Sequence, residues 1–258
     1  MKNHQNSFSL TLLRPLSVAA IAMLVSPIAQ AELSDFSDAT LWTPHISGFG
    51  PSIQNVAGGF KVNMPADSHG IYPSIDFNAG YESTFALHGD FTIDVDYTLT
   101  TWPVGNGMRL GIEIAPWFVS VRASQVWLNS NPGDEGYVFA SGGMNGVVPT
   151  TDLAGTLRLA RSGSTLGGYF RSGQNWVSIG SGQVDTSDFT VQLVAWSDDR
   201  FFTGQTVELG FSNPTISAEA FVLVPEPSVA ALSMFIAAAL LLLQPPAHAQ
   251  RSRPLFPS

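Results

Sequence analysis

The segment Ile93-Asp94-Val95-Asp96-Tyr97 sets two carboxylates two residues apart. In an extended chain that spacing puts both on one face, because successive side chains point to opposite sides. Glu113 is a third acid, inside the short alternating run from Arg109 to Ile114. Glycoside hydrolysis needs a set of this kind: two carboxyl groups about 5–10 Å apart, one of them protonated at working pH. Two aspartates at i and i+2 are also the ordinary solvated face of an exposed strand. On that balance the chain is predicted not to be an enzyme.

Sugar binding asks less of the same residues. Pyranose rings stack on aromatic faces while their hydroxyls bond to carboxylates and amides. Trp102, Trp117 and Trp127 fall in loop-like contexts near strand ends, beside Asn106, Asn129 and Asn131. A glycan site is therefore predicted from Asp94, Asp96, Trp102, Glu113 and Trp117, the competing reading being that the indoles plug the edges of a core. Trp176 and Trp196 lie within strands and read as packing residues.

Other chemistries lack their residues. There is no cysteine, which removes disulfides, thiolate metal sites and thiol catalysis. No Gly-x-Ser-x-Gly elbow or phosphate-binding loop occurs. His45, His69 and His88 have no metal-ligand spacing and read as loop or surface residues. Asn129-Ser130-Asn131-Pro132-Gly133-Asp134-Glu135-Gly136 clusters oxygen donors of the kind calcium takes, but a tight turn uses the same residues. No cofactor or metal is predicted.

Charge excludes a further class of partner. Lys2, Arg14, Arg251 and Arg253 place four of the 11 basic residues at the ends, and Glu226 takes one of the 20 acids. Seven basic residues then face nineteen acidic ones between positions 32 and 224. Such a segment repels nucleic acid and anionic lipid.

The ends read as addresses. Lys2 and Arg14, the apolar stretch from Leu16 to Val25 and Ala29-Gln30-Ala31 form a secretory signal, predicting entry through the Sec translocon and cleavage after Ala31. Near the other end, the uncharged run 229–243 would span about 22 Å as a helix, marginal for a hydrocarbon core of about 30 Å. Arg251 and Arg253 beyond it match retention of positive charge in the cytoplasm. Val224-Pro225-Glu226-Pro227-Ser228, the apolar run and the basic end together resemble the PEP-CTERM sorting signal. The resemblance implies processing at Pro225-Glu226-Pro227 by exosortase, a membrane-embedded protease. It also implies an inner-membrane precursor that passes to the cell envelope, surface or extracellular matrix, in a family associated with exopolysaccharide and biofilm.

Between the addresses the sequence predicts one domain, 32–223. Phe91 to Leu99 alternates with Phe91, Ile93, Val95, Tyr97 and Leu99 on one face. Arg109 to Ile114, Thr156 to Arg161, Gly168 to Ser172, Trp176 to Ile179, Phe189 to Trp196 and Val207 to Phe211 also read as strands, separated by Gly, Asn and Asp turns. One apolar face per strand predicts an all-β fold: an antiparallel two-sheet β-sandwich. Gly155-Thr156-Leu157-Arg158-Leu159-Ala160-Arg161-Ser162-Gly163, followed by Gly168-Tyr169-Phe170-Arg171-Ser172-Gly173-Gln174-Asn175-Trp176, resembles the laminin-G-like or concanavalin A-like jelly rolls. Gly89-Asp90-Phe91 and Val207-Glu208-Leu209-Gly210-Phe211 occupy fitting places in that pattern.

Together these readings predict an exported surface or matrix protein whose sandwich binds extracellular polysaccharide. The alternatives are a ligand-free structural protein and a glycoside hydrolase.

Overall fold

The alternation around Phe91 belongs to a strand far longer than the sequence pattern alone marks. The computed structural model describes residues 33–114, 117–121, 135–141 and 144–224, with 117–121, 141 and 144–145 described through the backbone alone. The signal segment 1–31, the sorting residues Pro225, Glu226 and Pro227, the apolar run 229–243 and loop residues 129–134 lie outside them.

Thirteen strands are described: β1 (Trp42–Ser47), β2 (Ser52–Val56), β3 (Gly59–Met64), β4 (Asp76–Thr101), β5 (Arg109–Ile114), β6 (Trp117–Val121), β7 (Gly136–Ser141), β8 (Met144–Pro149), β9 (Ala154–Ser162), β10 (Thr165–Ser172), β11 (Asn175–Gln183), β12 (Phe189–Asp198) and β13 (Val207–Leu223). All pairings between them are antiparallel.

Strand β4 serves two layers. Its residues 91–101 pair with β9 and β13, giving layer I the order β2-β3-β13-β4-β9-β10-β11. Its residues 76–83 pair with β1 and β12, giving layer II the order β1-β4-β12-β5-β6-β7-β8. The strand passes between layers at His88-Gly89-Asp90, where Gly89 has φ 70°. A left-handed backbone there costs glycine nothing, and a side chain at this position would also meet Glu219.

The core lies between the layers. From layer I it takes Phe60, Ile93, Val95, Leu157, Leu159 and Phe211, and from layer II Trp42, Phe77, Phe85, Ile112, Phe139 and Leu193. Tyr97 and Tyr137 join hydroxyls across the interior at 3.0 Å, and the Tyr137 ring stacks on Phe170 at 4.1 Å. Close approach of the layers requires glycine at Gly168. A Cβ there would stand 2.6 Å from the Phe139 ring. The predicted all-β sandwich is thus the observed architecture.

Candidate functional site

The outer face of layer II carries the residues with chemistry. Along β4, Phe77, Ala79, Tyr81, Ser83 and Phe85 are buried, while Asn78, Glu82 and Thr84 between them are half-exposed. Strand β12 buries Val191, Leu193 and Ala195 and leaves Gln192 and Trp196 half-exposed. Strand β5 buries Leu110, Ile112 and Ile114, with Arg109 and Glu113 half-exposed. Period-two alternation sends each second set away from the core.

Register turns these residues into rows across the strands. Thr43 faces Glu82, Glu82 faces Gln192, and Gln192 faces Glu113. The next row holds His45, Gly80, Val194 and Gly111, and a third holds Ser47, Asn78, Trp196 and Arg109. The glycines keep the middle row flat, and Gly80 has no room for a side chain: a Cβ would stand 2.1 Å from the Leu193 carbonyl oxygen. Two glutamates therefore flank one glutamine, with an indole and a guanidinium two rows away.

The two glutamates live in different surroundings. The Glu82 carboxylate accepts from the Thr190 hydroxyl at 3.4 Å and lies 3.8 Å from His45 Nδ1. Its side chain is 37% exposed, so water reaches it. The Glu113 carboxyl has no hydrogen-bond partner among the described residues. Burial, and then the negative charge of Glu82, push its carboxyl above the usual carboxylate range. Arg109 is held below its ordinary value by burial, against the opposing charges of Asp198 and Asp76. Two carboxyl groups on one face, one of them shifted toward its protonated form, are the kind of pair from which proton transfer to and from a sugar is built.

The residues predicted from sequence do not form one site. Asp94 and Asp96 lie on the outer face of layer I, on the opposite side of the sandwich from Glu113. Asp94 takes a bidentate pair from Arg158 at 2.6 and 2.7 Å, and that guanidinium lies 3.9 Å over the Trp176 ring. Asp96 accepts from the Thr156 hydroxyl at 2.6 Å and from Asn213 Nδ2 at 2.9 Å. Both acids are neutralised or bonded by structural partners. Trp102, at the end of β4, donates Nε1 to Glu135 at 3.1 Å and packs against the core half-buried. Trp117 opens β6 opposite Ile114; its side chain is outside the described set, as are the loop residues 129–134 considered for calcium.

The histidines separate likewise. His69 is a loop residue whose ring lies tilted against that of Phe49, and His88 pairs with Asp188 at 2.7 Å. His45, read as a loop or surface residue, lies on the sheet surface in β1 beside Glu82. Sequence reasoning missed Glu82, Gln192, His45 and Arg109, and read Trp196 as packing. A signal existed for Glu82: Phe77, Ala79, Tyr81, Ser83, Phe85 and Leu87 alternate as Phe91 to Leu99 does. Gly80 and Ser83 blunt that pattern.

No protein-family model and no curated protein matches this chain. Solved structures do. The catalytic domain of a GH131 beta-glucanase from Podospora anserina matches with a TM-score of 0.53 at 11% identity, covering 75% of this chain and 91% of that one. Alginate lyases from Corynebacterium sp. and Klebsiella pneumoniae match with TM-scores of 0.49 and 0.47, at 11% and 12% identity, each covering 73% of this chain and 97% of its own. The likeness to the glucanase shows the fold, a β-sandwich jelly roll. It also corrects one prediction: the chain expected not to be an enzyme shares its fold with the catalytic domain of a beta-glucanase.

Proposed function

We propose that this chain is an exported polysaccharide-processing protein that binds a glycan across the outer face of layer II and cleaves it beside Glu82 and Glu113. One observation carries the reading: two glutamates on one transverse row, one solvated and hydrogen-bonded, the other desolvated with its carboxyl pushed up by burial and by its partner's charge. Gln192 between them supplies an amide for sugar hydroxyls, and Trp196 supplies an aromatic ring on the same face. The jelly-roll fold shared with a glucanase catalytic domain supports the assignment to carbohydrate. Export and sorting rest on the resemblance of residues 224–258 to the exosortase-processed signal and on the secretory pattern of residues 1–31.

Turnover of a panel of polysaccharides by the purified chain tests the proposal, with binding measured on the same panel. Glu113→Gln should lower cleavage at least about 100-fold, the usual size of a general acid's contribution, while still binding the chain. Asp94→Asn, on the other layer, should leave cleavage intact. Loss of turnover in Asp94→Asn with full activity in Glu113→Gln would move the site to layer I. Failure to bind or cleave any polysaccharide would overturn the proposal.

A further inference from the structure

We infer that the layer II site hydrolyses a neutral polysaccharide with inversion at the anomeric carbon, Glu113 serving as the general acid and Glu82 as the general base. The inference rests on the proposed function and adds to it the reaction type, the substrate class, the stereochemistry and the role of each glutamate.

Spacing decides the stereochemistry. Glu82 and Glu113 occupy one row on strands separated by β12, so their backbones are two strand spacings apart, about 9.5 Å. Side chains on one face of a sheet stand roughly perpendicular to it and keep a separation of that order. Retaining sites hold their carboxyl groups about 5–5.5 Å apart, and inverting sites about 6.5–9.5 Å apart, which leaves room for a water. Gln192 fills the place between the two, where a nucleophilic glutamate would have to lean to reach the sugar.

Environment decides the roles. The Glu82 carboxylate, bonded to Thr190, beside His45 and open to solvent, is placed to take a proton from water. Glu113 is the more shielded group, lacks any bonded partner among the described residues and feels the Glu82 charge, so its protonated form is favoured. In the reaction Glu113 gives its proton to the glycosidic oxygen as the bond from that oxygen to C1 breaks. A water on the opposite face of the sugar bonds to C1 and passes a proton to Glu82. One product carries a free reducing end of inverted configuration and the other a new hydroxyl. Proton exchange with solvent then resets both carboxyls.

Charge decides the substrate class. Cleavage of a polyuronate by elimination needs the uronate carboxylate neutralised before the neighbouring carbon can lose its proton. On this face the guanidinium of Arg109 already lies in the fields of Asp198 and Asp76. The Glu82 carboxylate adds negative charge where the uronate would sit. A neutral chain meets no such repulsion.

The test is proton NMR of the first products formed from laminarin, lichenan and cello-oligosaccharides by the purified full-length chain, with alginate as the uronate arm. The expected result is that a β-linked chain yields α reducing ends first, with no unsaturated ends from alginate. First-formed β ends, or unsaturated ends, would overturn the inference while leaving polysaccharide processing standing. Absence of binding and cleavage on every chain would remove both. Roles are read with an aryl glycoside whose leaving group needs no proton. Glu113→Gln should recover at least about 10-fold on that substrate relative to its loss on polysaccharide, whereas Glu82→Gln should stay inactive on both. The reverse pattern would overturn the assignment of roles.

Discussion

Glu113 and Asp94 are both acids on the polar side of an alternating strand, yet the fold gives them opposite chemistry. Asp94 meets Arg158, 64 positions away in sequence, and spends its charge in a bidentate pair. Glu113 meets no cation among the described residues and is pressed by Glu82, 31 positions before it in sequence, two strands away. Neither neighbour is visible from the local pattern, which is why sequence reading favoured the aspartates. The raised carboxyl of Glu113 makes a pH prediction with a definite sign. The folded state holds this proton more tightly than the unfolded chain, so the stability it contributes is complete below the unfolded value near about pH 4. That stability is lost as pH rises through the raised folded value. Glu113→Gln removes the loss. Calorimetric melting should therefore show the variant more stable than the parent at neutral pH, with the gap closing near about pH 4. A variant equally destabilised at both pH values would mean that Glu113 is not desolvated. In the parent, cleavage should fall on the alkaline side as Glu113 ionises.

The elements explain how much of the fold the sequence shows. Strands such as Arg109–Ile114 and Phe189–Asp198 are legible because apolar residues recur at every second position and Gly or Asp turns bound them. The first half of β4 is obscured by Gly80 and Ser83, and with it went Glu82. A different part of β4 was hidden for a different reason: its bend is made by tertiary contacts. Arg161, buried in β9, donates Nε to the Gly89 carbonyl at 2.7 Å and a terminal nitrogen to the Ser187 carbonyl at 2.7 Å. Its guanidinium sits 5.0 Å from the Phe91 ring and 5.6 Å from that of Phe189. One side chain thus ties the crossing of β4 to the start of β12, the strand that carries Gln192. Arg161→Met keeps the apolar stem and leaves both carbonyls without their donor. It should cost about 2 kcal/mol in urea denaturation, the order of one or two shielded carbonyls left unpaired. A loss below about 0.5 kcal/mol, the range of an ordinary surface change, would show that the bend holds itself.

At the scale of the whole molecule, the acidic sandwich and the two ends answer to different physics. Among the described residues the folded layers share one core that runs from Leu33 to Ile216. In sequence the ends are apolar runs flanked by basic residues, the pattern expected of signals for translocation and membrane retention. A polysaccharide-processing domain with such ends would be made as a membrane-held precursor and released beyond the inner membrane by cleavage near Pro225-Glu226-Pro227. In that reading the prolines would resist joining a helix formed by the apolar run and would keep the backbone extended for a protease at the membrane surface. Arg251 and Arg253 would hold the far end in the cytoplasm, because translocating them is disfavoured. A tag placed after Ser258 should then be missing from mature protein recovered outside the inner membrane. Removing the host's exosortase, or changing Glu226 to Ala, should leave tagged, full-length chain in the membrane fraction. Retention of the tag on the exported protein of an unmodified host would make the tail a permanent anchor, and polysaccharide cleavage would then take place at the membrane surface instead of in the matrix beyond it.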